Sequence, residues 1–119
     1  MGRKKEIKMQ LVFIVLNKTE CLKDILMGFY DAGIKGATVI ETSGMARCLT
    51  EMEELRFLGS LNVLLNPEQK HNKTIFIATD DNMIPVISKI VNEVTGGLHM
   101  PDTGVMLSVP IGYAEGFVK

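Results

Sequence analysis

Apolar residues fall into six blocks whose periods differ. Met9-Gln-Leu-Val-Phe-Ile-Val-Leu16 is a near-continuous apolar run of strand length, rich in β-branched members. It predicts a central strand buried on one face and partly covered on the other. Leu22, Ile25, Leu26 and Phe29 recur at helical spacing and predict an amphipathic helix over 19–32. Asn17 or Thr19 is its expected cap, Glu20 an acid in its first turn, and Gly33 its left-handed terminator. The alternation Thr38-Val-Ile-Glu-Thr42 predicts a second strand over 37–43, and Lys73-Thr-Ile-Phe-Ile-Ala-Thr79 a third. Asp80-Asp-Asn82 then caps a second helix with Pro85 in its first turn, where no amide partner is lost. Met83, Ile87, Ile90, Val91 and Val94 form that helix's stripe, and Thr95-Gly96-Gly97 ends it. A last strand, Gly104-Val-Met-Leu-Ser-Val109, stops at Pro110 and leaves a short tail over 110–119.

The order β-α-β, long interval, β-α-β predicts an α+β fold of the split βαβ type. This is the ferredoxin-like βαββαβ sandwich: a four-stranded antiparallel sheet with two helices on one face. The alternates of these strands are apolar on both sides, so the second sheet face is expected to pair with other copies of the chain. The interval 44–72 is long for a compact domain and is expected to function. Within it, Thr50-x-x-Glu53 matches a capping box ahead of Leu55, Phe57 and Leu58, predicting a short helix there. Leu61, Val63, Leu64 and Leu65 could extend a neighbouring strand before Asn66-Pro67 turns it. Two readings of this apolar loop stay open: docking on a partner, or packing against its own assembly.

Composition narrows the classes. The 119 residues suit one domain with a core of its own, 1–119, carrying a flexible tail over 1–7. A net charge of −1 leaves no broad footprint for nucleic acid or an anionic membrane. Arg3-Lys4-Lys5 is short and offset by Glu6, a solubilising tail. The Leu11–Leu16 run is too short to span a bilayer, and the first residues lack a secretory pattern, so the expected location is cytoplasmic. Cys21 and Cys48 are then expected as free thiols. Asn17-Lys-Thr19 and Asn72-Lys-Thr74 match a glycosylation sequon that has no meaning without secretion.

Candidate chemistry concentrates in Gly33-Ile-Lys-Gly-Ala-Thr-Val-Ile-Glu-Thr-Ser-Gly-Met-Ala-Arg-Cys48. A turn, a strand and a loop carrying backbone amides beside Arg47 suit a small anion. Other constellations are weaker. His71 and His99 stand apart from other ligands at metal-binding spacing and read as solvated loop histidines, with no metal site expected. Glu51, Glu53 and Glu54 read as a solvated helix face rather than an acid pair. Cys48 beside Arg47 reads as a small loop residue, with a redox-tuned thiol as the alternative. An RNA-recognition module would show aromatics on a basic third strand, and a nucleoside diphosphate kinase a pocket histidine among basic neighbours; neither pattern is present.

The segment Gly33 to Arg47 resembles the PII signalling family, the trimeric regulators of nitrogen metabolism, from the end of the first helix to the base of the T-loop. Thr95-Gly96 with Asp102 and Gly104 is similar to the opening and close of that family's B-loop, here 96–104. The resemblance implies a homotrimer whose sheets face inward, and a T-loop-like insertion over 44–72 that contacts a target protein, a membrane transporter or a metabolic enzyme. It also implies an effector site between subunits, built from the T-loop base of one chain and the B-loop of another. Thr38, Gly44 and Arg47 stand where the family's adenine-nucleotide pocket has matching residues. The implied ligand-binding set is Thr38, Gly44, Met45, Ala46, Arg47, Cys48, Thr95, Gly96, Gly97 and Gly104, with no catalytic residue.

Departures from the family shape the expected ligand. Ala46 replaces a glycine, and Cys48 replaces the glutamine that helps hold magnesium and 2-oxoglutarate. Val105 stands where the family has a phosphate-binding lysine, and the tail over 110–118 lacks the family's arginine pair. A triphosphate needs fixed cations or metal. Arg47 is the motif cation that remains, with Lys35 and Lys73 as helpers. The expected effector is therefore AMP, a cyclic nucleotide or a small anion, and the expected role is signal transduction by a non-enzyme regulator. The alternative is a trimeric adaptor that has lost effector binding and holds its partner constitutively.

Overall fold

The computed structural model describes residues 8–51 and 71–116. Its four strands are β1 (Met9–Leu16), β2 (Thr38–Thr42), β3 (Asn72–Asp80) and β4 (Gly104–Pro110). They form one sheet in the order β2-β3-β1-β4, with every neighbouring pair antiparallel. Helix α1 (Leu22–Asp31) joins β1 to β2, and α3 (Ile84–Thr95) joins β3 to β4. A short helix, α2 (Met45–Glu51), follows β2. This is the ferredoxin-like arrangement that the hydrophobic pattern predicts.

Period-two alternation decides which side of each strand is buried. Val12, Ile14 and Leu16 of β1 and Ile75 and Ile77 of β3 point to one side, where Ile25 and Phe29 of α1 and Ile87 and Val91 of α3 meet them. All nine are essentially solvent-free. Both helices therefore lie on the same face, and each full burial contributes about 1.5–3 kcal/mol. Gly28 lets the helices cross closely, since a Cβ there would sit 2.7 Å from Ile90 Cγ2.

The opposite face carries the other alternates. Leu11, Phe13 and Val15 stand opposite Ala78, Phe76 and Thr74 on β3, and opposite Val109, Leu107 and Val105 on β4. Phe13 and Phe76 meet edge to face at 5.0 Å. The described chain leaves this face open: Val105 is 55% exposed, Leu107 47%, Val109 42%, and Ile40 of β2 42%.

Element ends differ from the sequence pattern in instructive ways. The segment predicted as helix from residue 19 starts as a 3-10 turn, Thr19–Cys21, before α1. Neither Asn17 nor Thr19 makes a side-chain cap; the backbone serves itself, Thr19 N donating to Asn17 O and Cys21 N to Lys18 O. Asp81–Met83 is a similar 3-10 turn, again without a side-chain cap from Asp80, and Pro85 sits in the first turn of α3. Gly33 and Gly96 take the left-handed conformations expected at helix ends, with φ of 91° and 89°. Strand β4 includes Pro110 instead of stopping before it, which an edge strand tolerates.

The largest difference lies after β2. The sequence predicts a loop there, with a short helix beginning at the Thr50 capping box. Instead α2 opens at Met45, with Cys48 N bonded to Gly44 O at 3.0 Å, and Thr50 lies inside it. Met, Ala, Arg and Leu are good helix formers, and their run outweighs the capping-box pattern. The predicted features at Glu53, 55–58 and 61–65, and the tail over 1–7, fall outside the described residues. Among the described residues no helix is long and apolar enough to cross a membrane.

Candidate functional site

One end of the sheet gathers the chemistry. There β1 and β2 finish, β3 and β4 begin, α1 starts and α3 ends. A cleft of about 830 Å³ opens at this end, lined by Asn17–Glu20, Gly44, Ala46, Arg47, Asn72, Thr95, Gly96 and 100–103. It brings the root of the long insertion against the loop between α3 and β4.

That loop is held by its own hydrogen bonds. Thr95 Oγ1 donates to Val91 O at 2.7 Å and accepts from Gly97 N at 3.3 Å. Asn92 Oδ1 accepts from Leu98 N at 2.7 Å, while its amide nitrogen donates to Ser88 O at 2.8 Å. Asn17 N and Lys18 N both donate to Thr103 O, tying the end of β1 to the loop's far side. Asp102 adopts φ of 55°, a left-handed position that Asp tolerates better than most residues. The root of the insertion is fastened likewise. Thr42 and Thr74 hydroxyls meet at 2.7 Å, and Ser43 Oγ lies 2.6 Å from His71 Nδ1.

Lys18 is the group that local pattern did not reveal. It reads as part of a helix cap, yet its Nζ donates to Thr95 O at 3.0 Å, spanning 77 positions of sequence. There it meets the carbonyl end of α3, where a cation is favoured. The two cations expected to assist Arg47 are engaged elsewhere. Lys73 lies 3.7 Å from Glu41 on the helix side of the sheet, and Lys35 stands 5.9 Å from the Tyr30 ring. Lys18 takes their place in the cleft.

Of the sequence-predicted set, Gly44, Ala46, Arg47, Thr95 and Gly96 line the cleft. The other five do not. Thr38 opens β2, Met45 is 78% exposed, and Cys48 is an exposed thiol. Gly97 lies beneath the His99 ring, and Gly104 packs against the β1 backbone. Within the one described chain, the root of the insertion and the loop between α3 and β4 both line this cleft. Asn17, Lys18, Thr19, Glu20, Asn72 and Thr103 join it unannounced, because only the fold brings them together.

The likeness to solved structures is one of fold. A functionally unknown protein from Pediococcus pentosaceus ATCC 25745 matches with a TM-score of 0.61 and 16% sequence identity. The match covers 94% of this chain and 100% of that one. No family model matches the chain, and no curated protein does.

Chemically the cleft suits reversible binding. Its polar groups are two cations, amides, hydroxyls and two carboxylates. Among the described residues no cluster of three metal-ligating side chains occurs. A smaller hollow of about 440 Å³ along α1 is lined by Leu22, Lys23, Leu26, Met27, Tyr30 and Asp31, all from one helix, and offers few polar groups for a ligand.

Proposed function

We propose that this protein is a PII-like regulator that binds a small anionic effector in the cleft and passes the binding event to a target through its long insertion. The observation that carries this reading is the shared cleft. Residues at the root of the insertion, Gly44, Ala46 and Arg47, line it together with Thr95, Gly96 and 100–103. A ligand bridging the two would bias the insertion without any bond being made or broken. AMP and cyclic nucleotides are the effector class in this reading, and a membrane transporter or metabolic enzyme is the target. Copies associate in the cytoplasm as a trimer through the open sheet face, where Val105, Leu107 and Val109 are exposed on the edge strand.

The test is a thermal-shift and calorimetric screen of the full chain with AMP, a cyclic nucleotide, magnesium-ATP and small anions. Ligand at about a hundredfold excess over Kd stabilises by ~2.7 kcal/mol, a midpoint rise of more than about 5 °C for a domain of this size. The expected result is such a rise with AMP and its disappearance in Arg47→Ala. Silence across the panel contradicts the sensor and leaves a constitutive adaptor.

A further inference from the structure

We propose that the outer face of α1 is a self-association surface, on which a second copy of the chain packs its own α1 in the antiparallel sense. The surface is separate from the cleft, and the inference does not rest on the effector reading. The hollow of about 440 Å³ along α1 lies between two rows of side chains spaced four apart, Leu22-Leu26-Tyr30 and Lys23-Met27-Asp31. Leu22 and Leu26 pack against the core, whereas Met27 is 55% exposed and Tyr30 65%. Rows of this spacing are the ridges by which helices pack, and the groove between two of them takes the ridge of another helix.

Charge decides which helix that is. The exposed row is symmetric about Met27, with a cation four residues before it and a carboxylate four residues after. A second α1 related by a two-fold axis through Met27 sets Lys23 of each copy against Asp31 of the other, so the attraction occurs twice. A parallel pairing would set like against like. Within one chain the same two charges oppose their helix. Lys23 stands in the first turn of α1, where the dipole favours an anion, and Asp31 in the last, where it favours a cation. Antiparallel packing brings each charge beside the opposite end of the other helix and offsets both misfits. Among the described residues, neither Lys23 nor Asp31 forms an ion pair within its own chain. Asp24 belongs to the row of Gly28, which faces Ile90 of α3, and Lys35 is engaged over the Tyr30 ring. The open sheet face lies on the other side of the molecule, so pairing through α1 is compatible with association there.

The experiment is sedimentation equilibrium in the Leu107→Glu background, which disables the sheet face, at chain concentrations up to about 1 mM. A contact one helix wide makes a weak, concentration-dependent dimer, and that is the expected result. Lys23→Asp and Asp31→Lys each turn two attractive contacts into two repulsive ones, and each is expected to weaken the dimer at least about fivefold. Mixing these two single variants is expected to restore pairing as a heterodimer, and Lys23→Asp/Asp31→Lys together to restore it in one chain. The differences should shrink as salt is raised. Both positions are exposed and the swapped charges suit the helix dipole, so circular dichroism is expected to be unchanged in every variant. A single-chain mass at the highest concentration overturns the pairing. A dimer that the single swaps leave unchanged, or that mixing fails to restore, overturns it as well and assigns the hollow to a different occupant.

Discussion

Gly104 shows how a residue can carry a motif and serve packing. A Cβ at this position would lie 2.7 Å from Val15 O, inside the β1–β4 ladder. Gly104→Ala must push one backbone from another and is expected to cost ~1–3 kcal/mol in denaturant unfolding, as overpacking does. An unchanged midpoint would refute the close approach. Lys18 illustrates the reverse, a cleft-lining position with no local signature. Lys18→Met keeps the aliphatic stem and removes the donor to Thr95 O. It should lower stability by about 1 kcal/mol and weaken AMP binding as well. Loss of stability with affinity intact would leave Lys18 a fastening of α3 and nothing more. Gly33 and Gly96 could be read from sequence because a left-handed helix end favours glycine through local sterics alone. Lys18 could not, since its partner lies 77 positions away.

At the scale of elements, strands β1 and β3 were legible because their runs are long, β-branched and buried on one face. Helices α1 and α3 were legible by their apolar stripes. Their starts were not, because the chain used tight backbone turns where side-chain caps were available. Helix α2 went unread as well, since seven residues bearing one cation and few core contacts give no periodic stripe. A core confined to the helix side of the sheet responds to substitution in a graded way. Phe29→Ala should cost ~3–5 kcal/mol and Ile87→Ala ~2–5 kcal/mol. Glu41→Gln, which breaks only the exposed pair with Lys73, should change stability by less than ~0.5 kcal/mol. Equal losses at the three positions in urea titration would contradict a core confined to the helix side of the sheet.

The whole molecule presents two consequences of one topology. The split βαβ order puts both helices on one face and leaves Phe13, Phe76, Leu107 and their neighbours on the other. It also brings α3's end and β2's end to the same rim of the sheet, which creates the cleft. Association through the open face predicts a trimer in analytical ultracentrifugation and a shift toward single chains in Leu107→Glu. A wild-type sedimentation value of one chain at micromolar concentration would rule that assembly out. Coupling between the cleft and the insertion is the central claim, and hydrogen–deuterium exchange on the full chain with and without AMP tests it most directly. Slower exchange is predicted together in residues 44–51 and 95–103, and in neither segment for Arg47→Ala. Identical exchange with and without saturating AMP, or protection confined to one of the two segments, would contradict it.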